Sequence, residues 1–321
     1  MSISAYIKVI GRGKDGARPL QEDQAHDLMG QVLDGRVTDL EIGAFAVAMR
    51  IKGETTAELA GFLRATTERC LHFAPPGPVV VLPSYNGARK LPNLTALLAM
   101  LLAQEGVSVL VHGMPDDPTR VTTATIFHDL GLTEAVTAHE AEQAWARHEP
   151  VYMRTDRLCP PLARLLDARW TIGLRNPAHT VAKLLDPFPA DRSVRVVNFT
   201  HPEYLQTHTA FLQHVGATAL LMRGTEGEPV ADARRLPRLD VFVAGQPRAD
   251  LSVSPNEGVL RELPVLPRSC DAPTTAHYIQ AVISGEKPAP GPIVQQVRCL
   301  MDTLAALPGG GVPAHDAVRT A

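Results

Sequence analysis

The chain has 321 residues, 45% of them apolar and 20% charged, with a formal net charge of −3 at pH 7. It is long enough to bury a large core and to hold two subdomains. A negative total argues against coating nucleic acid by bulk charge, although a local basic groove would serve, because binding follows the charge near the phosphates.

Residues 1–73 read as all-helical. An apolar piece at 4–9 ends before Gly11, and a helix at 21–34 places Ala25, Leu28, Met29 and Val32 on one face, with Gly35 after it. Thr38 caps a helix at 39–51, and Thr55 or Thr56 caps another at 57–70; Thr55 followed by Glu58 has the spacing of a capping box. These helices carry more apolar surface than they can hide among themselves, so they are expected to pack on another part of the chain or on a second copy. Pro75-Pro76-Gly77-Pro78 marks a boundary. Beyond it, strands at 79–82, 107–111, 195–199, 219–222 and 241–243 alternate with helices at 94–104, 122–130, 138–148, 202–215, 274–284 and 292–304, the pattern of a parallel sheet. Residues 160–188 are helical without a strand and are expected to return to the first helices. The expected division is a helical domain, 1–74 with 160–188, and an α/β domain, 75–159 with 189–321. The tail at 309–321 reads as mobile. No apolar run reaches the ~20 residues of a membrane span, and the first residues lack the apolar core of a signal peptide, so a cytoplasmic protein with no membrane partner is expected. Cys70, Cys159, Cys270 and Cys299 form no C-x-x-C pair and the histidines no H-E-x-x-H, which points to reduced thiols and no metal.

Residues 79–113 carry the clearest chemistry. The apolar run Val79-Val80-Val81-Leu82 suits a buried parallel strand and is stopped by Pro83. Ser84-Tyr85-Asn86-Gly87 is turn-forming, Arg89 and Lys90 follow, and Asn93 or Thr95 can cap the next helix. The second strand closes on His112-Gly113. A cationic loop at the carboxyl edge of a sheet, facing a helix N-terminus, is built for anions. Plainer readings stand beside this one: Arg89-Lys90 as a solvated pair, His112 as structural, and Asn176, His179 and Thr180 as helix-start residues.

Three long segments, LPSYNGARKLPNLT (82–95), VHGMPDDPTRV (111–121) and IGLRNPAHTVAKLLDPF (172–188), resemble the anthranilate phosphoribosyltransferase group, of the class II nucleoside phosphorylase/transferase fold. Within it they are most similar to the YbiB branch, a TrpD-like set of nucleic-acid-binding proteins. The resemblance implies an α/β fold: a small helical domain plus a larger domain with a mostly parallel central sheet, forming a homodimer through the helices. It also implies a remnant phosphoribosyl pocket at Ser84, Tyr85, Asn86, Gly87, Asn93, Thr95, His112, Gly113 and Thr123. Against the enzymes' Gly-Thr-Gly-Gly-Asp-Gly loop this chain has residues 83–88, with three of four glycines gone and Tyr85 intruding. Lys-His-Gly-Asn becomes Val111-His112-Gly113-Met114, and the acceptor-pocket His-Pro becomes Cys159-Pro160. The magnesium-binding Asp-Glu pair is replaced by Glu228-Pro229-Val230 after Gly227, leaving Glu228 and Asp232 out of register. Pyrophosphate departure needs its charge neutralised, so loss of the transferase reaction is expected, with no cofactor and no catalytic residue.

Positive charge remains. Arg89, Lys90 and Arg120 sit on loops after strands, while Arg154, Arg157, Arg164, Arg169, Arg175 and Lys183 face only Asp156 and Asp167 between residues 154 and 183, six cations against two anions for a local +4. With Tyr85 and Tyr152 available to stack a base, this set suits backbone-led, non-sequence-specific binding of DNA, single- or double-stranded, or RNA. The alternatives are a phosphoribosyltransferase with an altered acceptor, resting on Asn93, Thr123, Arg169 and Arg175, and a sensor of a phosphorylated metabolite.

Overall fold

A computed structural model describes residues 2–258 and 264–308. The tail at 309–321 lies outside the described residues. In chain order the elements are α1 (Ser4–Ile10), α2 (Gly13–Gly16), α3 (Glu22–Leu33), α4 (Asp39–Lys52), α5 (Thr56–Thr67), β1 (Val79–Ser84), α6 (Thr95–Gln104), β2 (Ser108–Gly113), α7 (Thr123–Asp129), α8 (Ala138–Ala146) and β3 (Val151–Arg154). They continue with α9 (Thr155–Leu158), α10 (Pro160–Ile172), α11 (Ala178–Leu184), β4 (Ser193–Phe199), α12 (Tyr204–His214), β5 (Ala219–Arg223), β6 (Leu239–Val243), β7 (Gln246–Pro247), α13 (Ala272–Ile283) and α14 (Gly291–Ala305).

Capping chemistry sets the first helices. Thr38 accepts from the Glu41 amide at 3.3 Å while the Glu41 carboxylate accepts from the Thr38 amide at 2.9 Å, and Thr55 and Glu58 repeat the exchange. Glu58 is fully buried and also holds Lys52 Nζ at 2.6 Å. On α4, Leu40, Val47 and Ile51 remain 84%, 39% and 62% exposed, an apolar stripe with no partner among the described residues.

The sheet has the order β3-β2-β1-β4-β5-β6-β7. The pairs from β3 to β5 are parallel, and β6 and β7 add antiparallel edge strands. The sheet is therefore mixed, and β3 and β7 join the five strands expected from the sequence. Both faces are covered, so β1 and β2 are buried along their whole length, with apolar stretches at Val79–Leu82 and Val109–Val111. Val79, Val81 and Leu110 enter a core shared with α3, α4, α5, α8, α10, α11 and α12. Val80, Leu82, Val109 and Val111 enter the opposite core, with α6, α7, α13 and α14. The later helices return to the first ones as expected: α10 packs on α3, and α11 packs on α5, β1 and β4. The chain leaves β1 toward β2 and comes back to β4 on the other side of β1. This reversal is the switch point at which sheets of this kind hold ligands. No helix among the described residues is long and apolar enough to cross a membrane.

Candidate anion loop and cationic cleft

The loop after β1 is held by two carboxylates from the loop after β5. Glu228 is fully buried, and its carboxylate accepts from the amides of Asn86 and Gly87, both at 2.8 Å. It also accepts a very short bond from the Ser84 hydroxyl and longer ones from Thr123 Oγ1 at 3.4 Å and Thr95 Oγ1 at 3.5 Å. The Thr123 hydroxyl lies 2.7 Å from that of Ser84 and accepts from Asn93 Nδ2 at 2.9 Å. Glu226 accepts from the amides of Arg89, Lys90 and Leu91 at 3.2, 2.8 and 2.7 Å. Backbone geometry brings both acids in: Glu226 is left-handed at φ 53°, Gly227 follows at φ 84°, and a Cβ at Gly227 would stand 1.9 Å from Asn86 Nδ2. Burial pushes the Glu228 carboxyl above the usual range, opposed by the Ser84 hydroxyl, the two amides and the more distant charge of Lys183.

Tyr85 is tied down rather than free to cover a ligand. Its hydroxyl donates to His112 Nδ1 at 3.0 Å, His112 Nε2 donates to the Leu185 carbonyl at 3.1 Å, and Thr155 donates to the Tyr85 oxygen at 2.9 Å. A carbonyl only accepts, so the proton of neutral His112 sits on Nε2. Complete burial lowers the pKa of His112 to about 4. Gly113 lets β2 end against β1, since a Cβ there would lie 1.8 Å from the Ser84 carbonyl oxygen. Asn93 accepts from the Thr95 amide at 3.2 Å, just ahead of α6. These nine residues, assigned to a remnant pocket, thus form or brace a polar nest that Glu228 fills.

Beside the nest is a narrow cleft between Tyr85, Asn86, Arg169, Arg175, His179 and Lys183. Burial lowers Lys183 to about 8, with Glu228 pulling the other way, and lowers His179 to about 4, helped by the Arg175 charge. Desolvation, then the charges of Arg169, Arg120 and Arg50, lower Arg175. Arg169 stacks 4.0 Å over the ring of Trp170, which is 63% exposed, and lies 3.8 Å from Asp117. Arg120 donates to the Gly87 carbonyl at 3.1 Å and stands 4.0 Å from Glu226.

The other sequence-derived cations divide. Arg89, Lys90 and Arg157 are exposed and pair with no acid among the described residues. Arg154 is clamped in a fork on Asp156, both bonds 2.9 Å, with Glu134 at 3.7 Å. Arg164 donates to the Leu33 carbonyl at the end of α3. None of these five lines the cleft. Tyr152 is a correction: it is 1% exposed, its hydroxyl donates to the Met114 carbonyl at 2.7 Å, and its ring has no face to offer a base. Sequence reading also missed the roles of Glu226 and Glu228, Arg50 and Trp170. The available signal was a Glu-Gly-Glu stretch just past a strand end, in the segment where the enzymes carry their metal ligands.

The magnesium expected of the transferase fold does not fit the donors present. Glu228 is spent on the loop, and Asp232 is forked by Arg234 at 2.9 and 2.7 Å. Among the described residues no three His, Cys, Asp or Glu groups converge to hold a metal.

Residues 4–70 match the helical bundle domain of a glycosyl transferase family. The uncharacterized protein YbiB of Escherichia coli is 41% identical over 304 residues, covering 94% of both chains. The chain belongs to the YbiB family. Anthranilate phosphoribosyltransferases are more distant: that of Symbiobacterium thermophilum is 27% identical over 70% of this chain and 65% of its own. The fold extends to the Thermus thermophilus anthranilate phosphoribosyltransferase, TrpD, with a TM-score of 0.71 at 21% identity, covering 94% of this chain and 88% of that one. The Saccharomyces cerevisiae enzyme in complex with PRPP and Mg gives 0.66 at 13% identity, covering 94% and 87%. This YbiB-family chain therefore has a TrpD-like transferase fold, with an N-terminal helical domain and a mostly parallel α/β domain.

Proposed function

We propose that this YbiB-family chain is a cytoplasmic, non-sequence-specific nucleic-acid-binding homodimer whose transferase fold no longer transfers a phosphoribosyl group. The observation that carries the reading is the orientation of the loop after β1. Its amides turn inward onto Glu226 and Glu228, while Arg89 and Lys90 project outward, exposed and unpaired among the described residues. Arg169, Arg175 and Lys183 continue the positive charge along the adjoining cleft. Such a surface holds a phosphate backbone without reading base edges. The stripe of Leu40, Val47 and Ile51 supports a second copy docking on α4. The domain division at 1–74 with 160–188 belongs to the same reading, the helical part serving as the dimer surface.

The test is fluorescence anisotropy with labelled single- and double-stranded oligonucleotides across a salt series. Arg89→Ala with Lys90→Ala is expected to weaken binding alike for all sequences and to flatten the slope of log K against log salt by about 1.8 on duplex and about 1.4 on single strands if each cation neutralises one phosphate. Equal affinity and slope in the double variant would remove this loop from the interface, and no binding at low salt would remove the function.

A phosphoribosyltransferase with an altered acceptor is supported by Arg169 and Arg175 lining a cleft beside Asn86. It requires heat on titration with phosphoribosyl pyrophosphate and Mg²⁺, where the filled loop leads us to expect none.

A further inference from the structure

We infer that the loop after β1 is an intact oxyanion-binding nest carrying its own ligand, with the carboxylates of Glu228 and Glu226 occupying the places of bound anions. This goes beyond nucleic-acid binding and does not depend on it.

The donor set has the character of an anion site. Five amides, from Asn86, Gly87, Arg89, Lys90 and Leu91, converge on two carboxylates, and three hydroxyls add to the Glu228 group. The hydrogen-bond partners of Glu228 are all neutral, and no cation pairs with it among the described residues. A buried carboxylate without a counter-ion costs several kcal/mol unless oriented dipoles replace its hydration. Backbone amides and hydroxyls aimed at one point do that for phosphate and sulfate in loops of this kind. Glu228 therefore resembles a captured ligand more than a partner in an ion pair. The left-handed Glu226 and the crowded Gly227 are the local distortion that delivers both carboxylates from one short turn.

Occupancy from within has two effects. A free phosphate or pyrophosphate meets a loop whose donors are used and whose interior is already negative. The loop also holds its ligand-bound shape permanently, so the Arg89 and Lys90 side chains face outward without help from any ligand.

Chemical rescue tests the inference on the full chain. Glu228→Ala removes the internal ligand and leaves the nest. Glu228→Gln keeps an acceptor for the two amides and a donor toward Ser84. Thermal unfolding is followed in formate, inorganic phosphate or pyrophosphate, against chloride at equal ionic strength. Expected is a saturable rise in the Tm of Glu228→Ala of several degrees with at least one of these anions, and no such rise in wild type or Glu228→Gln. A folded Glu228→Ala protein indifferent to all three anions would overturn the inference, as would a wild-type response equal to that of the variant. If Glu228→Ala is recovered unfolded, refolding yield with and without the anions is the readout; yield restored by an anion supports the filled nest, and unchanged yield overturns it. Formate against phosphate separates a cavity sized for a carboxylate from one that admits a phosphate.

Discussion

Replacing His112 by Gln should remove a defined part of the acid sensitivity of the fold. His112 is fully buried, hydrogen-bonded at both ring nitrogens, and its pKa is lowered to about 4 from an ordinary 6.5. Between those values the unfolded chain binds a proton that the folded chain refuses. The stabilisation is therefore complete above pH 6.5 and is lost as pH falls toward 4. The gap of about 2.5 units corresponds to about 3.4 kcal/mol in full, of which roughly 2 kcal/mol is lost between pH 7 and pH 5. Gln can donate to the Leu185 carbonyl and accept from Tyr85 without titrating. Urea unfolding of both proteins at pH 7, 6 and 5 should show the wild type losing about 2 kcal/mol more than His112→Gln across that range. His179 and His208 are likewise lowered to about 4 and remain in both proteins, so the difference between the curves isolates His112. Parallel curves would refute the assignment of a neutral, proton-excluding His112, and with it the account of how Tyr85 is fixed.

Gly113→Ala places a methyl group 1.8 Å from the Ser84 carbonyl oxygen, so the ends of β1 and β2 must separate. A loss of about 3 kcal/mol is expected in urea unfolding at pH 7, and a loss under about 0.5 kcal/mol would contradict the close approach. Leu40→Glu with Ile51→Glu should turn a dimer into a folded monomer in size-exclusion chromatography with light scattering. A dimer that survives both charges would place the interface elsewhere.

Local chemistry made much of this fold readable. Thr38 with Glu41, and Thr55 with Glu58, announce helix starts within four residues of sequence, and the apolar run Val79–Leu82 announces a strand covered on both faces, although Pro83 does not stop it: β1 stays in register with β2 through Pro83 to Ser84. The short strand Val151–Arg154 was missed because four residues after a proline carry too little pattern to stand apart from a loop. The sign of the loop's charge was readable from Arg89 and Lys90, but its interior was not. Glu228 next to a proline reads as a surface acid, and only the fold places it against Ser84, Asn86 and Gly87. Arg154 looks as free as Arg157 in sequence, and Asp156 and Glu134 become its partners only when β3 is in place. Tyr152 gives the same lesson for aromatics: its packing against Phe127 beneath the edge strand β3, rather than its chemistry, withdraws it from the surface.

The two halves of the filled nest lie far apart along the chain. Ser84 and Glu228 are 144 positions apart, and Leu91 and Glu226 are 135. During synthesis the amides of the loop leave the ribosome long before either carboxylate exists. Helices α1–α5 and the first strands can assemble in that interval, whereas contacts of such long separation close late. Until that segment is made and folded against the loop, the amides of Asn86, Gly87, Arg89, Lys90 and Leu91 lack the carboxylates that accept from them in the finished chain. Closure of this loop therefore requires that the chain be made and folded past residue 228.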